Sequence, residues 1–220
     1  MKLVTTDSGR VIQLFDSDAT RSPRDIYFPQ LYDLVGKRYG FLQHSDITEV
    51  AEKGAKFRTG KLDLEDGTIG IQHLEIYNDG IIATCRTTDE AEVVLQDAIE
   101  WATSTFGLRP PDELKPRTYQ SWVIVDFERP MSAMIQKFKD IQSAIATSYA
   151  HAYGQHLDFE TYRINFKVDP QTVPLHTPTE YVFDRRGGAS YALERWFCGA
   201  PLKTIDHLGL LDKIEKMLSP

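Results

Sequence analysis

Only two of the 220 residues are cysteine, Cys85 and Cys198, so no disulfide framework holds this chain together. Both lie in apolar, strand-like runs and read as buried thiols, which suits a reducing, cytoplasmic setting. No stretch approaches the roughly 18 apolar residues that a spanning helix needs. The N-terminus, MKLVTTDSGR, lacks the apolar segment of a secretory signal. The expectation is a cytoplasmic protein with no membrane partner. A basic excess is missing as well: 25 Lys and Arg stand against 32 Asp and Glu, a net charge of −7. Residues 1–109 hold 12 basic and 18 acidic residues and the remainder 13 and 14, so neither half is basic. Binding to nucleic acid by bulk electrostatics is disfavoured, because that affinity comes largely from counterion release.

The familiar chemical motifs are absent too. The segment 54–61, GAKFRTGK, has the look of a phosphate loop, but its glycines stand one residue too far apart. Leu62 also occupies the place of the magnesium-binding hydroxyl, and a hairpin rather than a helix follows. No dinucleotide glycine fingerprint and no G-x-S-x-G elbow occurs. The string Pro111-Asp112-Glu113-Leu114-Lys115 contains the letters of a nuclease signature, yet its residues are contiguous and cannot converge from separate strands. Of the six histidines, His151 and His156 are five apart with Gly154 between them, so they share no helix face. No metal and no cofactor is expected.

What is present describes a globular core: 41 % apolar, 11 % aromatic and 26 % charged residues. There is no internal sequence repeat. One domain over 1–220 is expected, with the proline-rich stretch 109–117 as the candidate break. Val4–Phe15 reads as a hairpin turned by Asp7-Ser8-Gly9. Residues 27–39 have helical spacing, and 44–54 have room for one helical turn. Asp66-Gly67 and Asp79-Gly80 punctuate three strands, at 56–64, 68–77 and 81–85. Within the second of these, the apolar alternation changes phase, which predicts a bulge at Gln72-His73.

Thr87 and Glu90 spell a capping box for a helix over Ala91, Val94, Leu95, Ala98, Ala102 and Phe106, ended by Gly107. A strand over 118–128 precedes a helix opened by Pro130, with Met134, Ile135, Phe138, Ile141, Ile145 and Tyr149 as its apolar stripe. Strands follow at 161–168, 180–186 and 191–198, then a helix over 205–218. Strands in hairpins with helices between them argue an α+β fold, a two-layer sandwich of a mostly antiparallel sheet with its long helices on one face.

Strand alternation supplies the candidate site. Asp126 and Glu128 would share one sheet face with Arg163 and with the charged residues of the last hairpin, Arg185, Arg186 and Arg195. On such a face arginines recognise an anion and Asp126 or Glu128 serves as a base, unless the charges simply form solvated ion pairs. Trp196 and its aromatic neighbours form a second candidate surface, suited to a protein partner or to self-association. With no complete catalytic set, the leading expectation is a non-catalytic binding or assembly protein. The alternative is a small-molecule or nucleotide-processing enzyme using the carboxylates and arginines of that face. A third reading, a nucleic-acid factor, would use Arg185, Arg186, Arg195 and Lys203 as a basic strip.

Overall fold

The computed structural model describes residues 1–15, 28–45, 54–77, 79–107, 116–130, 136–169, 171 and 178–218. The chain is α+β, with nine strands and four α-helices among the described residues. It divides into two compact units. The N-terminal unit comprises Asp7–Ser121 and Leu202–Thr204; the C-terminal unit comprises Met1–Thr6, Trp122–Pro201 and Ile205–Pro220.

In the N-terminal unit the elements are β1 (Lys2–Leu14), α1 (Phe28–Tyr39), β2 (Gln43–His44), β3 (Ala55–Leu64), β4 (Gly67–Tyr77), β5 (Gly80–Cys85) and α2 (Thr88–Phe106), with strand order β2-β3-β4-β5-β1. The pairs β2/β3, β3/β4, β4/β5 and β1/β5 are antiparallel. One face of this sheet, with Val11, Phe57, Leu74 and Ala83, forms a core with Leu31, Val35 and Tyr39 of α1 and Ala91, Val94, Leu95 and Ala98 of α2. Helix α2 begins and ends as its sequence dictates. The Thr87 hydroxyl accepts from the Glu90 amide, the Glu90 carboxylate accepts from the Thr87 amide, and Gly107 closes the helix at φ 64°. Arg38 reaches Asp97 at 2.7 and 3.2 Å and Tyr39 donates to it at 2.6 Å, which fastens α1 to α2.

The C-terminal unit holds β6 (Thr118–Asp126), α3 (Gln136–Tyr153), β7 (Arg163–Phe166), β8 (Tyr181–Arg185), β9 (Arg195–Ala200) and α4 (Thr204–Met217), with strand order β6-β9-β8-β7. Strands β1 and β6 have residues in both units, and Thr204 of α4 belongs to the N-terminal one. Val123, Val125, Phe127, Phe183, Trp196, Cys198, Leu211 and Leu218 make its core. The order β-α-β-β-β-α therefore occurs twice, as β1-α1-β3-β4-β5-α2 and as β6-α3-β7-β8-β9-α4. The strand orders β3-β4-β5-β1 and β7-β8-β9-β6 match as well. The sequence carries no trace of this repetition, because topology constrains the period of apolar residues and not their identity.

Four expectations need correction. Residues 4–15 form no hairpin: β1 runs unbroken, and a Cβ on Gly9 would overlap the Thr87–Thr88 backbone. Gly9 serves close approach, not a turn. No residue is inserted at Gln72-His73, since Arg58↔His73 and Gly60↔Ile71 keep one register. The change of phase is real but affects both strands at one level: β3 buries Phe57 and then Leu62, and β4 buries Leu74 and then Ile71. Its site is Thr59, held at φ 58°, a strained value for a β-branched residue, where its carbonyl accepts from the Leu42 amide.

The third correction concerns Tyr191–Leu193, which form a 3₁₀ turn, so the last strand starts at Arg195. The fourth concerns the helix after Pro130: Ile141 and Ile145 of its apolar stripe are exposed. Met134 and Ile135, the helical turn within 46–53, and most of the proline-rich stretch (108–115) lie outside the described residues.

Candidate functional site

The charged sheet face is assembled in part, in the C-terminal unit. Register places Arg163 opposite Asp184 and Asp184 opposite Phe197, so these three side chains share a face. Arg163 Nε lies 3.6 Å from Asp184 and its Nη2 3.5 Å from Glu180. On the same side of β9, Arg195 donates to both oxygens of Asp126, at 2.7 and 2.9 Å. That bidentate bond, ahead of every other influence, holds the Asp126 carboxyl below the usual carboxylate range. Asp126 is thus an ionised partner in a closed pair, a poor state for a base near neutrality.

Glu128 does not join it. This residue lies beyond the end of β6 with an exposed side chain, 3.9 Å from the N-terminal ammonium, while its amide donates to Glu215 at 3.0 Å. Asp126 and Glu128 thus point to separate partners.

Arg185 faces the other way, because successive strand residues alternate. It is 3 % exposed and packs in the core. Its guanidinium lies 4.6 Å from the Tyr191 ring and 4.7 Å from the Trp196 ring. Nη1 donates to the Tyr191 carbonyl at 2.8 Å, Nη2 to Glu194 at 3.0 Å, and Nε to the Thr161 carbonyl at 3.3 Å. The indole of Trp196 donates to the second oxygen of Glu194 at 3.1 Å. A buried charge is tolerable only when paired and hydrogen-bonded in this way. The 3₁₀ turn brings the Tyr191 ring and carbonyl into place, and Glu194 follows it at φ 46°. In this geometry Arg185 and Trp196 hold the unit together and present no surface to a ligand.

One feature of this face was hidden in the sequence. Trp122 stacks on Phe197, with ring centres 5.0 Å apart and planes within 7°, and Arg186 lies 6.0 Å over Phe197. The stack depends on Gly199, where a Cβ would overlap the Trp122 ring. A glycine inside an apolar strand was the available signal. The basic strip of the nucleic-acid reading is not formed as a strip: Arg185 is buried, Arg195 is paired, and Lys203 donates to Glu92 at 3.1 and 3.2 Å.

The margin of the unit is different in kind. β7 ends the strand order; Phe166 on it is 52 % exposed, and Tyr162 and Val168, just outside its two ends, are exposed as well. Helix α3 is joined to the segment just before this strand by a 2.9 Å bond from Gln142 to Thr161. Its Ile141 and Ile145 are 53 % and 45 % exposed. Apolar side chains of strand and helix are therefore in solvent together. Elsewhere, α2 lines a shallow groove of about 420 Å³ with Glu92, Gln96, Asp97, Glu100 and Arg117, in which Arg117 lies 3.8 Å from Glu92 and donates to Gln96, while Asp97 is held by Arg38. Among the described residues, no group of three or more His, Cys, Asp or Glu is placed to hold a metal ion. No helix among them is long and apolar enough to cross a membrane.

No protein-family model and no curated protein matches the chain. The solved structures that match the chain include one described as Methanococcus jannaschii TBP, at 10 % identity and a TM-score of 0.44, covering 99 % of this chain and 97 % of that one. A likeness of that strength carries no argument about function.

Proposed function

We propose that this chain is a non-catalytic assembly protein that associates with a second copy of itself through the β7–α3 margin of the C-terminal unit. The observation behind this is the joint exposure of Phe166 on β7 and of Ile141 and Ile145 on the adjoining helix. The outer edge of β7 pairs with no strand among the described residues; such an edge offers amides and carbonyls to another strand, and a second β7 set antiparallel would make an isologous contact. The matching strand of the other unit, β3, has its outer edge covered by β2. The catalytic alternative finds less support, since Asp126 is bound by Arg195 and Glu128 stands apart. With this reading goes a two-layer arrangement, helices on one face of the sheet. Cytoplasmic residence also fits the two buried thiols.

Light scattering on the purified chain tests the proposal. The expected mass is twice 25.1 kDa, returning to the single mass in a Phe166→Glu, Ile145→Glu variant that keeps its circular dichroism. A wild-type chain that stays at the single mass at about 100 μM, a concentration at which even weak dimers form, overturns it.

A further inference from the structure

The sheet of the N-terminal unit has a second face, turned away from the core, and its register gathers cationic groups there. Arg10 lies opposite Thr84, Thr84 opposite His73, and His73 opposite Arg58, which gives one row across β1, β5, β4 and β3. With strands about 4.8 Å apart, the row spans about 14 Å. Thr84 is buried and short, so its hydroxyl forms the floor. His73 is half-buried beside it, and the arginines stand at the two ends.

The next row along the strands holds Lys56 and Glu75, paired across β3 and β4. Glu75 is the one carboxylate of these two rows and is already occupied. It accepts from Arg10 Nη2 at 3.1 Å and from the Tyr77 hydroxyl at 2.5 Å, and Lys56 lies 3.9 Å away. Three cations thus stand against one carboxylate, in a chain that is acidic overall. Arg10 Nε is buried with no hydrogen-bond partner, a donor of the kind that folded proteins almost always satisfy. Arg58 is exposed and stands opposite His73.

We propose that this row binds the phosphate groups of a small phosphorylated ligand, with Arg10 and Arg58 clasping a diphosphate from its two ends above Thr84 and His73. Guanidinium groups match phosphate oxygens geometrically, and several donors from separate strands suit an anion with several acceptors. His73 adds a dependence on pH. Burial first, then the nearby Arg58 and Arg10, hold its imidazole below its ordinary value, against the opposing pull of Glu75. A bound anion reverses that balance and favours the imidazolium, so affinity rises as pH falls.

The test is calorimetric titration of the full chain with inorganic pyrophosphate at pH 8 and pH 6, beside a single-stranded oligonucleotide. Pyrophosphate itself gains a proton over this range, so the expected result is binding in which the wild type gains affinity relative to His73→Gln from pH 8 to pH 6. Arg58→Ala should weaken it about tenfold or more, the value of one lost charge-assisted hydrogen bond. His73→Gln should remove the protein's share of the pH dependence, and Lys213→Ala, at an exposed position of the other unit, should leave binding unchanged. No binding of pyrophosphate, binding indifferent to Arg58→Ala and His73→Gln, or binding of the oligonucleotide alone overturns the proposal.

Discussion

The two units repeat one order of elements and use it differently. In the N-terminal unit the first helix, α1, gives Leu31, Tyr32, Val35 and Tyr39 to the core. Its counterpart α3 gives none of its described side chains to the core of the C-terminal unit and leaves Ile141 and Ile145 outside. The interior changes accordingly. Helices and sheet of the first unit meet through aliphatic and aromatic side chains, whereas the second encloses a guanidinium between two rings. The outer faces differ in the same sense. Arg10 and Arg58 have one nearby carboxylate between them, Glu75, while Arg163 and Arg195 each have an acidic partner. A shared topology thus fixes where side chains stand and leaves open what each unit does with them.

The sharpest way to break this comparison is to remove the enclosed charge. Arg185→Ala would remove the cation bound to Glu194, leaving it the Trp196 indole, and open space between Tyr191 and Trp196. Breaking a buried pair in this way costs about 3–5 kcal/mol. Arg186→Ala, one residue on, should lie within about 0.5 kcal/mol of the wild type, as exposed positions do. Urea denaturation of both variants checks the contrast. Equal effects would mean that the cation is not central to the C-terminal unit.

Acid should separate the units next. His207 of α4 is buried in the C-terminal unit, and burial lowers its pKa from 6.5 to about 4. Between those values the unfolded chain takes up a proton that the folded chain refuses. The stability present above pH 6.5 is therefore lost as pH falls toward 4. From pH 7 to pH 5 the loss from this one group is about 2 kcal/mol. His207→Leu should flatten that part of the profile. If stability against pH is the same in variant and wild type, His207 is not the cause.

Reading the sequence succeeded where the determinants are local. The capping box and Gly107 of α2 lie within a few residues of the bonds they make, and the Asp-Gly turns sit between the strands they join. It failed where the determinant is far along the chain. Gly9 looks like a turn residue, and only the approach of Thr87 and Thr88 explains it. The candidate site divides in the same way. Pairing of Asp126 with Arg195 requires the neighbourhood of β6 and β9, which no spacing reveals, whereas the separation of Asp184 from Arg185 was available from strand alternation alone. The row of Arg10, Thr84, His73 and Arg58 draws one residue from each of four strands, so it exists only through register.

The smallest effect tests the local signal itself. Thr87→Ala removes the hydroxyl that accepts from the Glu90 amide, at about 1 kcal/mol for such a cap. The Glu90 carboxylate would still accept from the Arg86 and Thr87 amides at 3.1 and 3.2 Å, so the helix start is loosened, not lost. The urea midpoint should drop with the slope unchanged. A loss of 3 kcal/mol or more would point past the cap to its surroundings. The Thr87–Thr88 backbone touches Gly9, and Thr88 exchanges hydrogen bonds with Thr204 at 2.8–3.1 Å. Movement there would reach β1 and the first residue of α4. In that event the start of α2 acts as a joint for the N-terminal unit, and its cap cannot be treated as a local feature.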